Sequence, residues 1–314
     1  MKPYISVIIP TTRIGGLDIT FAGLKRQTFK DFELILVDTL YEKRKDLVKD
    51  KADEYGLQVK HILQEEGATR YCSAMNDGVL ISDGNILYCI GDYTWLDPEC
   101  LAKHAEFHRT KTDKYAMAGN FVEYALPKLN ANFYRPYASN VPYIVDEVPN
   151  RFVMAEKENF ENYVEDLNSR KLDTLMWSIL ESPYTVSDDP RSLDITNTKE
   201  QRPDGLTTTN HCFLKNESFD MDMVLEINGF NEALDGSHAW TDWEFIDRMI
   251  VLTNTQPYYK SDAITHTINP RPVLYGRKRE REVFSNEKIW KAGKDENFAT
   301  RVNDYSLIEE KNKR

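Results

Sequence analysis

The order of elements along this chain predicts an α/β fold, a mostly parallel sheet flanked by helices. Two observations carry that expectation: short Val/Ile-rich runs of strand length recur, and the segments between them place their apolar residues at helical spacing. Tyr4 to Ile9 is the first such run, ended by Pro10 and read as a strand buried on both faces. Gly15-Gly16 break the chain, and Leu17, Thr20, Phe21 and Leu24 then share a helical face. Phe32 to Val37 is a second buried strand, stopping at Asp38. A charged helix from Glu42 to Tyr55 closes at Gly56, and Gln58 to Leu63 supplies a third strand. The helix from Thr69 to Ser82 leads into the strand Asn85 to Ile90, which stops at Gly91-Asp92. Asp97-Pro98-Glu99 offers an N-cap, a proline at the first helical position and a first-turn acid, so a helix is expected to start there.

From Asn120 to Asp204 the pattern weakens into Tyr-, Pro- and Asn-rich loops with one amphipathic stretch, and residues 146–200 carry 13 acids against 6 bases. That segment is expected to be an insertion or lid. Helical spacing returns after Thr241, with Trp243, Ile246, Met249 and Ile250 on one face, so core packing is the expectation for Trp243. From Tyr275 the chain holds 11 bases and 8 acids, with Trp290 as its main large apolar group. The expected organisation is one domain over 1–270, with a first half at 1–115, the insertion at about 120–204 and a second half at 205–270, then a polar, helical extension over 271–314.

Composition narrows the function classes. The chain has 314 residues, 41% hydrophobic and 29% charged, with a net charge of −11, which disfavours broad attraction to nucleic-acid phosphates or anionic lipid. Cys72, Cys89, Cys100 and Cys212 form no C-x-x-C pair and lie in or beside apolar runs, so buried free thiols are expected rather than a zinc site. The apolar stretch after Lys2 is too short for a signal-peptide core, and no run approaches the roughly 18 residues a bilayer span needs. A cytoplasmic protein, or one peripheral to a membrane, is the expectation.

In parallel sheets, ligands bind beyond the C-terminal strand ends, where Pro10 to Arg13, Asp38 and Asp92 would gather. Four segments in order resemble glycosyltransferase family 2, nucleotide-sugar-dependent enzymes of GT-A (Rossmann-like) fold. Ser6-Val7-Ile8-Ile9-Pro10-Thr11-Thr12, Leu24 to Gln27 and Phe32 to Asp38 look like the family's first strand, helix and second strand. Ala74-Met75-Asn76-Asp77-Gly78 through Gly91-Asp92-Tyr93-Thr94 is similar to the stretch leading into the metal-binding D-x-D. Asn210 to Lys215 with Ile227-Asn228-Gly229-Phe230-Asn231-Glu232 is similar to the acceptor-side strand and G-G-F-D-E turn. Thr241-Asp242-Trp243-Glu244-Phe245-Ile246-Asp247-Arg248 resembles the E-D-x-E-L-x-x-R helix that carries the catalytic base.

The resemblance implies inverting transfer of a sugar, from a UDP-sugar in the first instance, to an acceptor hydroxyl, with Asp242 as general base. Asp242 could equally be a favourable first-turn acid, with Thr241 and Glu244 as a capping box and the helix dipole keeping the carboxylate ionised. The donor nucleotide would meet Pro10, Thr11, Thr12, Arg13, Asp38, Arg70, Asn76 and Asp92. Asn76 is read as ordering the loop around the nucleotide, and Arg70 as supplying the charge that the family places beside it. A Mn or Mg ion would sit on Asp92, with His266 as a second ligand or as an ordinary strand histidine. One acid stands where the family has two. Trp240 and His211 would face the acceptor, whose identity stays open among glycans, lipid-linked sugars, protein side chains and modified nucleobases. The single-acid turn also leaves open an inactive nucleotide- or glycan-binding module, and Thr11 to Gly16 faintly echoes a sugar-phosphate nucleotidyltransferase loop.

Overall fold

The computed structural model describes residues 2–11, 17–64, 70–92, 94–111, 115–125, 214–236, 240–269, 286–293 and 302–314. An eight-stranded sheet runs through them in the order β3-β2-β1-β4-β7-β6-β8-β5. Its parallel half consists of β1 (Ile5–Thr11), β2 (Phe32–Asp38), β3 (Val59–Leu63) and β4 (Ile86–Cys89). Helices α1 (Leu17–Lys25), α2 (Tyr41–Tyr55) and α3 (Tyr71–Ile81) connect these strands in turn. The second half adds β5 (Thr94–Leu96), α4 (Cys100–Thr110), β6 (Tyr115–Ala125), β7 (Glu217–Asp220), α5 (Met221–Glu226), α6 (Thr241–Thr253) and β8 (Gln256–Asn269). Two short helices follow, α7 (286–293) and α8 (Leu307–Asn312). β7 is antiparallel to both β4 and β6, which makes the sheet mixed.

Alternation along the central strands builds two cores. Ile5, Val7 and Ile9 of β1, Leu34 and Leu36 of β2, and Ile86 and Tyr88 of β4 pack with α1, α2 and α4 on one face. Ile8, Ile35, Val37, Leu87 and Cys89 face the other way, onto α3, α5, α6 and α8. Because both faces are covered, these strands are apolar at nearly every position, which is why they read as continuous runs in the sequence. Leu17, Thr20, Phe21 and Leu24 are all buried, as their spacing requires. Gly56 closes α2 with a left-handed φ of 65°, its N–H returning to Asp53.

Three boundaries differ from the expectation. β1 runs through Pro10 to Thr11, because Pro10 lies beyond the ladder with β4, which ends at the Ile8–Cys89 pair. Helix α4 starts at Cys100 rather than at Pro98: Asp97, Pro98 and Glu99 form a turn whose Asp97 carbonyl accepts the Cys100 N–H. The cap comes from α1's end, where Gln27 Oε1 accepts the Leu101 N–H at 3.0 Å and Nε2 donates to the Asp97 carbonyl at 2.8 Å. The pattern expected to weaken at Asn120 instead continues as strand β6 to Ala125, paired residue by residue with β8. The remainder of the expected insertion, 126–204, lies outside the described residues.

Candidate active site

At the C-terminal ends of β1, β2 and β4, a line of buried polar groups joins three of the expected donor-side residues. Thr11, 1% exposed, donates its hydroxyl to Asp92 Oδ2 at 2.9 Å and accepts from the Arg44 guanidinium at 3.1 Å. Arg44 in turn grips Asp38 with two bonds of 2.7 Å, Nε to Oδ2 and Nη2 to Oδ1. Asp38 is fully buried and also accepts the Leu40 N–H at 2.8 Å, with His61 Nε2 2.9 Å from Oδ2. Burial would raise its pKa, but the bonds from His61, Arg44 and Leu40 outweigh that and hold the carboxyl below its ordinary value. Both Asp38 oxygens are engaged within the protein, and Arg44 links Asp38 to Thr11, which in turn bonds Asp92. The sequence signal for Arg44 was hidden, because it falls in the charged run of α2 that reads as a solvated face.

Asn76 and Arg70 go elsewhere. Asn76 is fully buried; its Oδ1 accepts the Phe230 N–H at 2.8 Å, and its Nδ2 donates to the Phe230 carbonyl and Glu232, each at 2.9 Å. Its side chain organises the 228–232 turn. Arg70, at the start of α3, lines a cleft of about 600 Å³ with Gln64, Ser73, Asp77, Glu232 and Tyr305, a different wall from that of Thr11 and Asp92. Thr12, Arg13 and His211 lie outside the described residues, as does the side chain of His266. The His266 backbone is placed: it pairs with Trp95 on β5, the strand that starts two residues after Asp92.

Asp242 occupies the first turn of α6. Its Oδ1 accepts the Trp243 N–H at 3.0 Å. The carboxyl is pushed above its ordinary pKa by burial, opposed by backbone N–H groups and by the positive charge of Lys215. Tyr71, at the start of α3, has its hydroxyl pushed well above its ordinary pKa by burial and by the charges of Cys89, Cys72, Glu217 and Asp242.

The capping box is not formed. Trp240 is the N-cap, in a left-handed conformation with φ of 71°, and no side chain caps the helix. Glu244 turns inward to the fully buried Arg248, with contacts of 2.8 Å and 3.2 Å. Arg248 also donates to the carbonyls of Ile227 and, at 2.6 Å, Gly229. The Glu and Arg of this helix thus brace the turn in which Asn228 and Gly229 have φ of 62° and 70°. Asp235, just past that turn, caps α3 by accepting the Cys72 and Ser73 N–H groups at 2.8 and 3.1 Å. Trp243 does not enter the core: Phe245, Ile246 and Met249 do, while Trp243 is half-buried against Trp240 and Trp290. Of the strand expected near Asn210–Lys215, residues 210–213 lie outside the described residues, Leu214 and Lys215 are not in a strand, and β7 follows from Glu217.

Residues 6–157 match the model of glycosyl transferase family 2. Among solved structures, the chain aligns over 98% of its length with S. aureus TarS at 12% identity and a TM-score of 0.54, spanning 41% of the TarS chain. TarS 1-349 in complex with UDP-GlcNAc aligns over 98% of this chain and 69% of its own, at 11% identity and a TM-score of 0.55. The mannosyltransferase PcManGT from Pyrobaculum calidifontis, in complex with GDP-Man and Mn2+, aligns over 99% of this chain and 69% of its own, at 12% identity and a TM-score of 0.56. No curated protein sequence matches. The matched residues 6–157 are thus similar to glycosyl transferase family 2, and the fold is that of the GT-A glycosyltransferases.

Proposed function

We propose that this protein is an inverting glycosyltransferase that moves a sugar from a UDP-sugar to an acceptor hydroxyl, with Asp242 as general base. The observation that carries the reading is Asp242 itself. It is a carboxylate held at a helix start by the Trp243 N–H, with a pKa raised by burial. A raised pKa brings a carboxylate closer to the proton affinity that removal of a hydroxyl proton requires. Attack by the deprotonated acceptor oxygen from the face opposite the nucleoside diphosphate inverts the anomeric carbon.

On the donor side, Thr11 and Asp92 form a preset wall, fixed through Arg44 and Asp38. Asp92 is a hard oxygen donor of the kind that holds Mn or Mg together with substrate phosphates, so it would hold a divalent ion whose shell the diphosphate completes, with His266 as the second ligand of this reading. Among the described residues no group of three or more His, Cys, Asp or Glu side chains could hold a metal without that help. When bound, the ion supplies positive charge to the departing diphosphate. Trp240, half-buried and two residues before the base, faces the acceptor side, whose partner is a glycan, lipid-linked sugar, protein or modified nucleobase hydroxyl. Complexes of GT-A neighbours with UDP-GlcNAc and with GDP-Man and Mn2+ support a nucleotide-sugar donor and a divalent ion. Among the described residues no helix is long and apolar enough to cross a membrane, which is compatible with a cytoplasmic enzyme working alone or against a membrane surface.

The test is a thermal-shift and hydrolysis panel of UDP- and GDP-sugars with and without Mn2+. Metal-dependent stabilisation by one donor, with release of its nucleoside diphosphate, supports the reading. Binding without any release over a broad acceptor set would favour a binding module.

A further inference from the structure

Three tryptophans meet at the start of α6, and one of them comes from a distant stretch of chain. Trp290 on α7 stacks on Trp240 with ring centroids 4.7 Å apart and an interplanar angle of 25°. Trp243 meets Trp240 edge-on at 4.9 Å and Trp290 at 6.1 Å. The Trp290 indole N–H donates to Asp247 Oδ2 at 2.9 Å. Asp247 lies four residues beyond Trp243, one turn further along α6, so Trp290 is fastened to this helix at two heights.

What the fastening holds is the residue with the least reason to stay where it is. Trp240 has a φ of 71°, a left-handed conformation that costs a bulky residue about 1–2 kcal/mol and persists only where its surroundings enforce it. The Trp240 carbonyl accepts the Glu244 N–H at 2.9 Å and so sets the first turn of α6. Within that turn the Trp243 N–H orients the Asp242 carboxylate. Both residues that bear on the placement of Asp242, Trp240 and Trp243, therefore have their rings in the cluster.

We propose that Trp290 is a positioning residue for sugar transfer: anchored on Asp247, its ring pins Trp240 and thereby the helix turn that carries Asp242. The inference rests on the reading of Asp242 as the base. It makes the segment around 286–293, far from the family-matched residues 6–157, an integral part of the acceptor side. In this role Trp290 acts through Trp240.

The test compares Trp290→Ala, Trp290→Phe, Asp247→Ala and Asp247→Asn in the full chain, measuring kcat for transfer, acceptor KM and donor Kd. Misplacing a catalytic group by about 1 Å can cost about 100-fold, so Trp290→Ala is expected to lower kcat at least tenfold while donor Kd stays within about twofold. Trp290→Phe keeps a stacking ring and recovers most of that loss. Asp247→Asn still accepts the indole N–H and behaves as wild type, whereas Asp247→Ala falls between. Normal kcat in Trp290→Ala overturns the proposal, and so does a loss shared equally by donor affinity or a Phe variant no better than Ala. Should Trp290→Ala fail to fold, the two Asp247 variants, which retain the ring, decide the matter by their difference in kcat. Asp242→Asn is run alongside. If it transfers normally, or if wild type transfers from no nucleotide sugar, the functional reading fails as well; if it is inactive while Trp290→Ala is normal, the positioning role alone fails.

Discussion

Replacing Arg248 by Met should cost this protein about a third of its stability or more, because of what the substitution strands. Arg248 is fully exposed to protein and not at all to water, and Glu244 is 2% exposed. The guanidinium supplies two contacts to Glu244 and one to each of the Ile227 and Gly229 carbonyls. Met fills similar volume but donates nothing, so Glu244 would keep only the Asn231 amide at 3.4 Å. Breaking a buried pair by removing one partner costs about 3–5 kcal/mol, since a charge is left without compensation. The two abandoned carbonyls belong to the same network, so their loss is part of that figure and not an addition to it. Against a total of about 5–15 kcal/mol, the variant should unfold at a much lower urea concentration with an unchanged m-value. The double variant Glu244→Gln/Arg248→Met leaves no buried charge and should regain at least half of the loss. A single variant within about 1 kcal/mol of wild type, or a double variant no better than the single, would refute the assignment of this pair as scaffold.

Two further outcomes follow from the same structure. Gly229→Ala should destabilise by about 1–3 kcal/mol in urea unfolding, because φ is 70° and a new Cβ would approach the Asn76 amide and lie 2.7 Å from Leu307 Cδ2. His108, whose Nε2 is 2.8 Å from Ser218 Oγ, is pushed by burial from 6.5 to about 4. The unfolded chain therefore takes up a proton below pH 6.5 that the native state refuses until about 4, so its contribution is intact above 6.5 and lost as pH falls toward 4. Discounted for partial solvent contact, the loss is about 2 kcal/mol, measured as the change in urea midpoint between pH 7 and pH 4, and His108→Gln should flatten it.

Most of the sheet was legible because its central strands are buried on both faces, and such strands announce themselves as Val/Ile runs between helical segments. β6 and β7 were not: β6 lies in a Tyr- and Asn-containing stretch, and Glu217–Asp220 has two acids and a serine in four residues, so neither shows a run. At the site, Asp92 could be picked out by its place after a strand, and Asp242 through the resemblance of Thr241–Arg248 to the family's base-carrying helix. Their supports could not. Arg44 looks like one more base in a charged helix until Asp38 is set opposite it, and Glu244 satisfies a capping pattern until Arg248 is seen four residues on and buried. Asn76 had a motif context that pointed to the nucleotide, but its bonds run across more than 150 residues to a turn that sequence spacing does not reveal.

The central claim is that Asp242 is the base, and transfer by Asp242→Asn tests it most directly. Losing a general base should lower kcat by about 100- to 10,000-fold. Donor binding should stay within about twofold, because the donor wall of Thr11 and Asp92 is fixed independently through Arg44. Since burial raises the Asp242 pKa, its ionised form costs stability at neutral pH, so the variant should melt no lower than wild type. An inactive, fully stable enzyme that still binds its nucleotide sugar is the predicted result; a variant that transfers sugar at the wild-type rate would contradict it.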